Sequence, residues 1–452
     1  MKKILLKNAQ IVNEGKIFPG DLLIKNGRIE KIETHISGTG AETEIDAAGN
    51  YLFPGIIDDQ VHFREPGLTH KATIYSESKA GIAGGVTSFM EMPNTIPPAD
   101  THELLEQKYR TAQVTSLANY SFYLGTSNTN LEEIKKTDPS KICGVKIFMG
   151  SSTGKLVVDN TKALENIFIH APVLIATHCE TDPLIKLNEN NLRAKYGDAI
   201  PISLHPIIRN EEQCFASSRQ AVLLAQKHNA RLHILHISTA EELALFENKV
   251  PIADKKITAE VCVHHLLYDS KDYEKLGPQI KCNPAIKEER HKVQLLKALL
   301  DDRLDVIATD HAPHLWEEKY SMTPEGKINY FKSPSGLPLI QHSFNIMLEF
   351  FRQGKISLEK IAEKMSHAPA TLFGVKNRGF IREGYAADFF LLDMKKNFTV
   401  AKENILYKCG WSPLEGTNFQ GRITHTFVNG RLVYADGVFD ESVNGMRLEF
   451  ER

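Results

Sequence analysis

The sequence predicts an α/β protein, a (β/α)8 TIM-type barrel with a small composite β-sandwich domain built from both termini. Two observations support this prediction. In the middle of the 452-residue chain, eight short apolar runs alternate with longer amphipathic stretches, as βα units do. At both ends the chain is β-like and repeats one hairpin phrase. Eight alternating units favour a barrel over the second possibility, a doubly wound open sheet.

The predicted barrel strands are short and mostly apolar. They lie at 56–61, 86–91, 118–124, 144–148, 172–177, 231–236, 257–263 and 305–309. Amphipathic stretches between them predict helices, for example Glu211–His228 and Glu289–Asp301. No GxGxxG or GxxxxGK[ST] follows any of these strands, so the usual signs of a nucleotide-binding sheet are missing.

The two ends of the chain are predicted to form one domain. Asn26-Gly27 and Asn429-Gly430 each stand between apolar runs, which is a strong signal for a two-residue β-hairpin turn. We therefore expect residues 1–53 and 375–452 to build the β-sandwich and residues 54–374 to build the barrel.

Composition excludes several classes of protein. With 54 Lys plus Arg against 56 Asp plus Glu, the net charge of −2 argues against a nucleic-acid platform. No apolar run reaches the roughly 18 residues of a membrane span. Six cysteines without a CxxC pair suggest reduced thiols and a cytoplasmic protein. The 18 histidines are the less ordinary number, and their positions matter more than their count.

Polar side chains stand where the predicted strands end, which is where barrel enzymes place their chemistry. A single histidine at a strand end is more often a hydrogen-bonding residue than a ligand, and Lys146 has the alternative of an edge strand facing water. Together, three imidazoles and one carboxylate form a zinc-type ligand set. A carbamylated Lys146 would add an oxygen ligand able to bridge two metals. The residues at these ends are Asp58, Asp59, Gln60, His62, Lys146, His178, His236, Asp310 and His311.

At these residues the chain resembles the amidohydrolase superfamily and, within it, the dihydroorotases. The resemblance covers nearly the whole chain, from Gly49–Gly55 through Ser366–Ala370 and into the C-terminal β segment. Its most specific phrases are His62-Phe63-Arg64-Glu65-Pro66-Gly67, Glu91-Met92-Pro93-Asn94-Thr95, Cys282-Asn283-Pro284 and Ala308-Thr309-Asp310-His311-Ala312-Pro313-His314.

The resemblance implies a centre of one or two Zn²⁺ ions at the barrel mouth. His62 matches the second histidine of the family's HxH ligand motif, and Lys146 matches its carboxylated, bridging lysine. His178 and His236 match the ligands of the second metal, and Asp310 matches the catalytic aspartate, itself a ligand. The positions that hold the substrate in the family match Arg64, Asn94, Asn283 and His314.

Gln60 departs from the family pattern, which has histidine at this position. An amide oxygen is a weaker zinc ligand than imidazole, so Gln60 is a doubtful ligand. Three interpretations follow: a working binuclear enzyme, a mononuclear enzyme that uses mainly His178 and His236, and an inactive homologue with a structural role. Retention of Lys146 and Asp310 with the later histidines argues against the third.

Arg64 favours dihydroorotase over other cyclic amidohydrolases such as hydantoinases and allantoinases. A guanidinium grips a carboxylate bidentately, and dihydroorotate carries a carboxylate whereas hydantoin and allantoin do not. The alternative is that Arg64 pairs with a nearby acid such as Glu65. In the expected mechanism, metal-bound hydroxide attacks the ring amide and Asp310 shuttles the proton to the ring nitrogen.

Other expectations concern partners and one long loop. We expect a small-molecule substrate and neither nucleic acid nor membrane as a partner. The family suggests a homodimer, and association with another pyrimidine-pathway enzyme is possible, including as a noncatalytic partner of it. The polar stretch Leu315–Gly336 directly follows the Asp310 motif and is either a lid over the site or an ordinary surface insertion.

Overall fold

The structure is a computed structural model that describes residues 3–150, 156–442 and 444–452. It contains the predicted barrel and a β-sheet domain made from both ends of the chain. The strands are β1 (Ile4–Asn13), β2 (Lys16–Lys25), β3 (Arg28–Glu33), β4 (Thr43–Asp46), β5 (Tyr51–Pro54), β6 (Ile56–Val61), β7 (Val86–Glu91), β8 (Asn119–Phe122), β9 (Leu124–Gly125), β10 (Val145–Phe148), β11 (Ile175–His178), β12 (Leu232–Ile234), β13 (Ile257–Cys262), β14 (Val306–Ala308), β15 (Phe389–Thr399), β16 (Asn418–Val428), β17 (Arg431–Ala435) and β18 (Val438–Phe439).

The helices lie mainly between the barrel strands. They are α1 (Ile74–Ala83), α2 (His102–Thr115), α3 (Leu131–Lys135), α4 (Thr161–His170), α5 (Asp182–Tyr196), α6 (His205–Ile208), α7 (Glu211–His228), α8 (Val263–Leu267), α9 (Tyr273–Leu276), α10 (Glu289–Leu300), α11 (Trp316–Lys319), α12 (Ser343–Arg352), α13 (Leu358–Ala362) and α14 (Ala368–Phe373). The helix predicted over Glu211–His228 is confirmed as α7, and that over Glu289–Asp301 as α10.

Polar side chains set the helix ends. The Asn210 side chain accepts a hydrogen bond from the backbone N–H of Gln213 and so caps the start of α7. The same helix ends at Asn229, whose left-handed backbone (φ 55°) stops further helical hydrogen bonding. Such caps determine where each helix ends and where the chain continues toward the next barrel strand.

All eight predicted barrel strands are present and parallel, the third in two pieces, β8 and β9. Strands β6, β7 and β8 pair in that order, and β9 to β14 continue the series. A parallel bridge between Val61 and His311 joins the last strand region back to the first and closes the barrel. Since every strand runs the same way, all the carboxyl ends face one rim.

The ends of the chain form one composite sheet, as predicted. Its nine strands follow the order β18-β17-β16-β15-β5-β1-β2-β3, and β4 pairs with β1. Strands from the beginning and the end of the sequence meet where β5 pairs with β15. The boundaries predicted at residues 53/54 and 374/375 stay predictions.

Both predicted hairpins form, and their turns pack against each other. Asn26-Gly27 joins β2 to β3 and Asn429-Gly430 joins β16 to β17, each with positive φ at both turn residues. A Cβ atom on Gly430 would lie 2.6 Å from the Gly27 Cα. The repeated Asn-Gly phrase therefore provides both the turn conformation and the small surface that lets the two turns touch.

Aromatic packing joins the sheet to the barrel. Phe53 of β5 stacks on Phe390 of β15 with ring centroids 5.3 Å apart, and Phe344 of α12 meets the Phe390 ring edge-on at 4.9 Å. These rings are buried, so the two parts of the fold share a continuous apolar core.

The described residues also bear on two compositional observations. The six cysteines are all buried and unpaired. Within the described residues, no helix combines the length and the apolar character needed to cross a membrane.

Replacing Gly430 with alanine tests the contact between the two hairpin turns. We expect Gly430→Ala to lower the free energy of unfolding by about 2–4 kcal/mol, because it adds both a clash and backbone strain. Gly15→Ala is the matched control, since Gly15 has a nearly identical φ of 74° but nothing within 4 Å of its Cβ position. Urea unfolding of both variants measures the difference. Equal losses in the two variants would contradict the packing of the turns.

Candidate active site

The strand ends surround a single cavity of about 450 Å³. All ten residues predicted to bind metal or substrate line this cavity, and they come from strand ends spread through the whole barrel. They are Gln60, His62, Arg64, Asn94, Lys146, His178, His236, Asn283, Asp310 and His314. The structure thus brings together the complete predicted set, while the roles of its members stay predictions.

His62 and Asp310 form the first pair at the rim. The His62 Nδ1–H donates to Asn94 Oδ1 at 2.8 Å, and its Nε2 lies 3.1 Å from Asp310 Oδ1. Burial lowers the pKa of His62, against the opposing effect of Asp310, which favours a neutral ring. A lone pair on Nε2 then faces a carboxylate oxygen, and this arrangement of two acceptors suits a cation held between them.

His178 and His236 form the second pair. The His178 Nε2–H donates to Glu180 Oε2 at 3.0 Å, so its Nδ1 carries the lone pair and lies 2.9 Å from His236 Nε2. Glu180 also accepts from Arg209. Burial raises the pKa of the Glu180 carboxyl, but Arg209 and His178 together outweigh burial and bring this pKa to about 2. A charged carboxylate thus orients the His178 ring, as the second partners of metal-binding histidines do.

Lys146 lies at the centre of the barrel end with only 1% of its surface exposed. Its ammonium stands 4.6 Å from the Phe148 ring centroid, and no ion pair to it is found among the described residues. Burial lowers the pKa of Lys146 from 10.5 to about 7. The side chain points into the cavity rather than to water, so the edge-strand alternative is wrong: β10 pairs on both sides, with β9 and β11. A neutral amine is the form that reacts with CO₂.

Gln60 occupies the place of the missing histidine and is hydrogen-bonded at both ends of its amide. Its Nε2 donates to Asp310 Oδ1 at 3.2 Å, and its Oε1 accepts from Cys262 Sγ at 3.6 Å. A carboxylate only accepts, so the amide nitrogen must face Asp310 and the oxygen must face Cys262. The Gln60 oxygen therefore points away from His62.

Three of the site residues have left-handed backbone conformations. The φ angles are 67° at Arg64, 41° at His236 and 47° at Asp310. This region is costly for residues other than glycine and persists where the surrounding structure demands it. The turn at His236 also explains why β12 ends at Ile234, before the end of the predicted strand 231–236.

Arg64 and His314 form the other wall of the cavity. Lys71 Nζ lies 3.2 Å from His314 Nδ1, and because an ammonium only donates, Nδ1 accepts and Nε2 carries the proton of the neutral ring. Ser335 O accepts that proton at 3.1 Å. Burial, then Arg64, lowers the pKa of His314 well below its usual range.

The Arg64 guanidinium is left without a full set of acceptors. Its Nε donates to Pro313 O, while its Nη2 lies 3.0 Å from His314 Nε2, which is itself a donor. The predicted alternative, a pair with Glu65, is wrong, since Glu65 accepts from the backbone N–H of Ile74 instead. Burial lowers the pKa of Arg64 to about 10, so it stays charged at neutral pH. Asn283 Oδ1 is likewise buried without a hydrogen-bond partner among the described residues.

The segment Leu315–Gly336 forms one wall of the cavity. Its residues from Tyr330 to Gly336 line the space, and the buried Lys319 ammonium donates to the carbonyls of Lys281, Pro334 and Gly336 at 2.8–3.0 Å. These bonds hold the segment against the barrel, so the cavity is covered on this side. A role as a lid stays a prediction.

Sequence reasoning missed the residues that support the site. Glu180 follows His178 by two positions and could have been noticed there, but the pairing of Arg209 and Lys71 with the site depends on the fold. Two buried groups also place three possible ligand atoms within 4.8 Å of one another, and neither contains a predicted metal-binding histidine. They are Asp59, His233 and Glu260, and Cys262, His264 and His265.

The first of these groups is an ion cluster inside the barrel. His233 Nε2 lies 3.3 Å from a carboxylate oxygen of Asp59 and 3.3 Å from one of Glu260, and all three side chains are fully buried. Burial lowers the pKa of His233, but the two carboxyl groups raise it to about 9. A protonated imidazole therefore balances the buried negative charge without a metal ion.

Comparison with known proteins agrees with this geometry. The family model described as "Amidohydrolase family" matches residues 51–433. A dihydroorotase from Methanothermobacter thermautotrophicus is 31% identical over 94% of this chain and 90% of its own length. An allantoinase from Deinococcus radiodurans is 30% identical over 98% of each chain.

Among solved structures, the L-hydantoinase (dihydropyrimidinase) from Arthrobacter aurescens superposes with a TM-score of 0.92. It is 25% identical and covers 99% of this chain and 100% of its own. The relatives are thus named for three different activities, dihydroorotase, allantoinase and hydantoinase. With its strand-end histidines, buried lysine and aspartate around one cavity, the chain belongs to the amidohydrolase family.

Proposed function

We propose that this enzyme is a dihydroorotase, which interconverts N-carbamoyl-L-aspartate and (S)-dihydroorotate in pyrimidine biosynthesis. The observation that carries the proposal is the buried Arg64 guanidinium, whose Nη2 faces a proton donor instead of an acceptor. A buried cation with an unsatisfied donor favours an anionic ligand. Dihydroorotate has a carboxylate to offer, whereas hydantoin and allantoin have none.

The carboxylate would lie between Arg64 and Asn283 at the covered side of the cavity. The Arg64 side chain is fixed by its bond to Pro313 O, so its orientation is set before substrate arrives. Lys71 Nζ, 3.2 Å from His314 Nδ1, is paired with Glu318 at 2.9 Å, so it fixes the His314 ring while its own charge is balanced. When the carboxylate of a substrate binds at this side, the ring amide of the same substrate lies toward Asp310.

Asp310 is proposed as the proton shuttle. Its Oδ1 is held by Gln60 Nε2 and faces His62, while no hydrogen bond to its Oδ2 is found among the described residues. Oδ2 is therefore available to accept a proton from the attacking water and to deliver it to the ring nitrogen. In the cyclising direction the protonated carboxyl returns this proton as water leaves.

The residues present fit a bound zinc-type ion. His62 Nε2 faces Asp310 Oδ1, and His178 Nδ1 faces His236 Nε2, so each pair brings two ligand atoms together. Lys146, once carbamylated, would supply an oxygen ligand between the two pairs. A metal ion held there supplies Lewis acidity to the amide carbonyl and to water. A homodimer and association with another enzyme of pyrimidine synthesis stay proposals drawn from family resemblance.

Substrate preference and one variant test the assignment together. We expect zinc-loaded enzyme to interconvert dihydroorotate and N-carbamoyl-L-aspartate faster than it opens hydantoin or allantoin. The absorbance of dihydroorotate measures the first of these reactions. Asp310→Asn should lower kcat at least about 100-fold, because the amide cannot shuttle a proton. Asp305→Asn is the matched control, since Asp305 lies at the opposite end of the same strand and binds Lys255. A preference for hydantoin or allantoin would instead support those activities, and no turnover of any of them would support a noncatalytic role.

Shortening the Arg64 side chain tests the substrate carboxylate contact. We expect Arg64→Met to reduce kcat/KM for dihydroorotate about 100-fold, the loss of roughly 3 kcal/mol from charge-assisted hydrogen bonds. Arg64→Lys should recover part of this loss because it keeps the charge but not the planar fork. Turnover of an uncharged cyclic amide measured on the same variants is the control. A parallel loss for both substrates would show that Arg64 is needed only for the fold of the site.

Replacing Gln60 with histidine, the residue of the family pattern, tests whether a metal ligand is missing at position 60. We expect Gln60→His to raise the affinity for zinc, measured by chelator competition, because imidazole is a better ligand than an amide. Gln60→Asn is the control, because it keeps the amide on a shorter side chain. This variant should not raise the affinity for zinc. Unchanged zinc affinity in Gln60→His would mean that His62 and Asp310 hold no metal even with the missing ligand supplied.

A further inference from the structure

A second group of possible metal ligands lies where β13 ends and α8 begins. Cys262 is the last residue of β13, and His264 and His265 lie in the first turn of α8. Their ligand atoms are all buried and lie within 4.8 Å of one another. None of the three belongs to the catalytic set described above.

The imidazoles of this group have lone pairs with no partner. His265 Nε2–H donates to Pro284 O at 3.1 Å, which leaves Nδ1 as the unprotonated nitrogen. His265 Nδ1 is buried without a hydrogen-bond partner among the described residues, and the His264 ring has only a weak contact with the Thr309 backbone. Burying unsatisfied polar atoms is costly, so these nitrogens point to a ligand in the folded protein.

The Cys262 thiol and the Gln60 amide complete the environment. Cys262 Sγ lies 3.6 Å from Gln60 Oε1, whose direction is fixed because Gln60 Nε2 is bound to Asp310. The group therefore presents one sulfur, two imidazoles and an amide oxygen. A thiolate with two imidazoles is a donor set that zinc-class ions prefer.

We propose that Cys262, His264 and His265 bind one divalent metal ion of the zinc class, with Gln60 Oε1 at the fourth position. Bonds of about 2.3 Å to sulfur and about 2.0 Å to nitrogen put neighbouring ligand atoms of a tetrahedral site about 3.3–3.6 Å apart. The ligand atoms lie within 4.8 Å of one another, which is close enough for small side-chain rotations to close the site. On binding, the thiol releases its proton to solvent.

The group differs in kind from the ion cluster of Asp59, His233 and Glu260. In that cluster the His233 Nε2 lies 3.3 Å from an oxygen of each carboxylate, so the group contains its own cation, although the Asp59 oxygens have no hydrogen-bond partner among the described residues. Around Cys262, by contrast, the carboxylate that accepts from Sγ is Glu260, whose Oε1 lies 3.9 Å away, and among the described residues His265 Nδ1 has no partner. The Cys262 group contains no cation of its own, so it is the one that gains from a metal ion.

Cobalt titration of the full chain tests this site through its sulfur. Protein stripped of metal and titrated with Co²⁺ should develop the near-ultraviolet absorption of a cobalt–thiolate bond. We expect Cys262→Ser to abolish this absorption and to bind one equivalent of cobalt fewer than the wild type. Cys143→Ser is the matched control, because Cys143 is equally buried but lies outside both groups, and it should keep the absorption.

A second measurement covers the case in which Cys262→Ser does not fold. X-ray absorption at the zinc edge of the wild-type protein should show sulfur among the zinc neighbours. No thiolate absorption and no sulfur scattering in the wild type would overturn the proposal, as would a thiolate absorption that persists in folded Cys262→Ser. The catalytic ligand set contains no sulfur, so this result is independent of whether the enzyme turns over dihydroorotate.

Discussion

The closure of the barrel determines the position of every residue at the site. The backbone N–H of His62 donates to His311 O at 2.7 Å, next to the parallel bridge between Val61 and His311. This contact joins the first strand to the last, and it places His62 beside Asp310, residues that are distant in sequence. Without closure, the eight strands would be an open sheet, and their carboxyl ends would lie along an edge instead of around a cavity.

The second constraint is the burial of charge at this rim. The barrel end holds Arg64, Lys146 and Asp310 away from water, where unpaired charges are unfavourable. The protein satisfies some of them internally, as Glu180 and Arg209 satisfy one another beside His178. Others face the cavity without a full set of partners. Those unsatisfied groups are the basis on which we propose that the cavity binds an anionic substrate and metal ions.

The strand pattern and the two Asn-Gly turns were predictable because they depend on local sequence. The apolar runs near Ile57 and Ile307 became barrel strands, and each turn has the two positive φ angles that this dipeptide favours. The ten candidate residues could also be placed at one cavity, since the fold class alone brings parallel strand ends together. Their membership in a family supplied the roles that spacing could not.

Contacts between side chains from distant parts of the chain were not predictable. Lys71 reaches His314 across 243 residues, and Arg209 reaches Glu180 from the start of another helix. Lys319 appears in a polar stretch that reads as solvent-exposed, yet it is buried because three carbonyls converge on it. Such pairings depend on barrel stagger and on rotamers, neither of which a single sequence specifies.

Gln60 shows how a departure from a family pattern can preserve a site. The glutamine amide holds the Asp310 carboxylate directly, at 3.2 Å. The same amide presents its oxygen to Cys262, 3.6 Å from Sγ. The amide donor at position 60 therefore keeps the orientation of the Asp310 carboxylate, the group that we propose as the proton shuttle. An inactive chain would have no chemical reason to keep Asp310 so oriented together with a buried Lys146 and an unsatisfied Arg64.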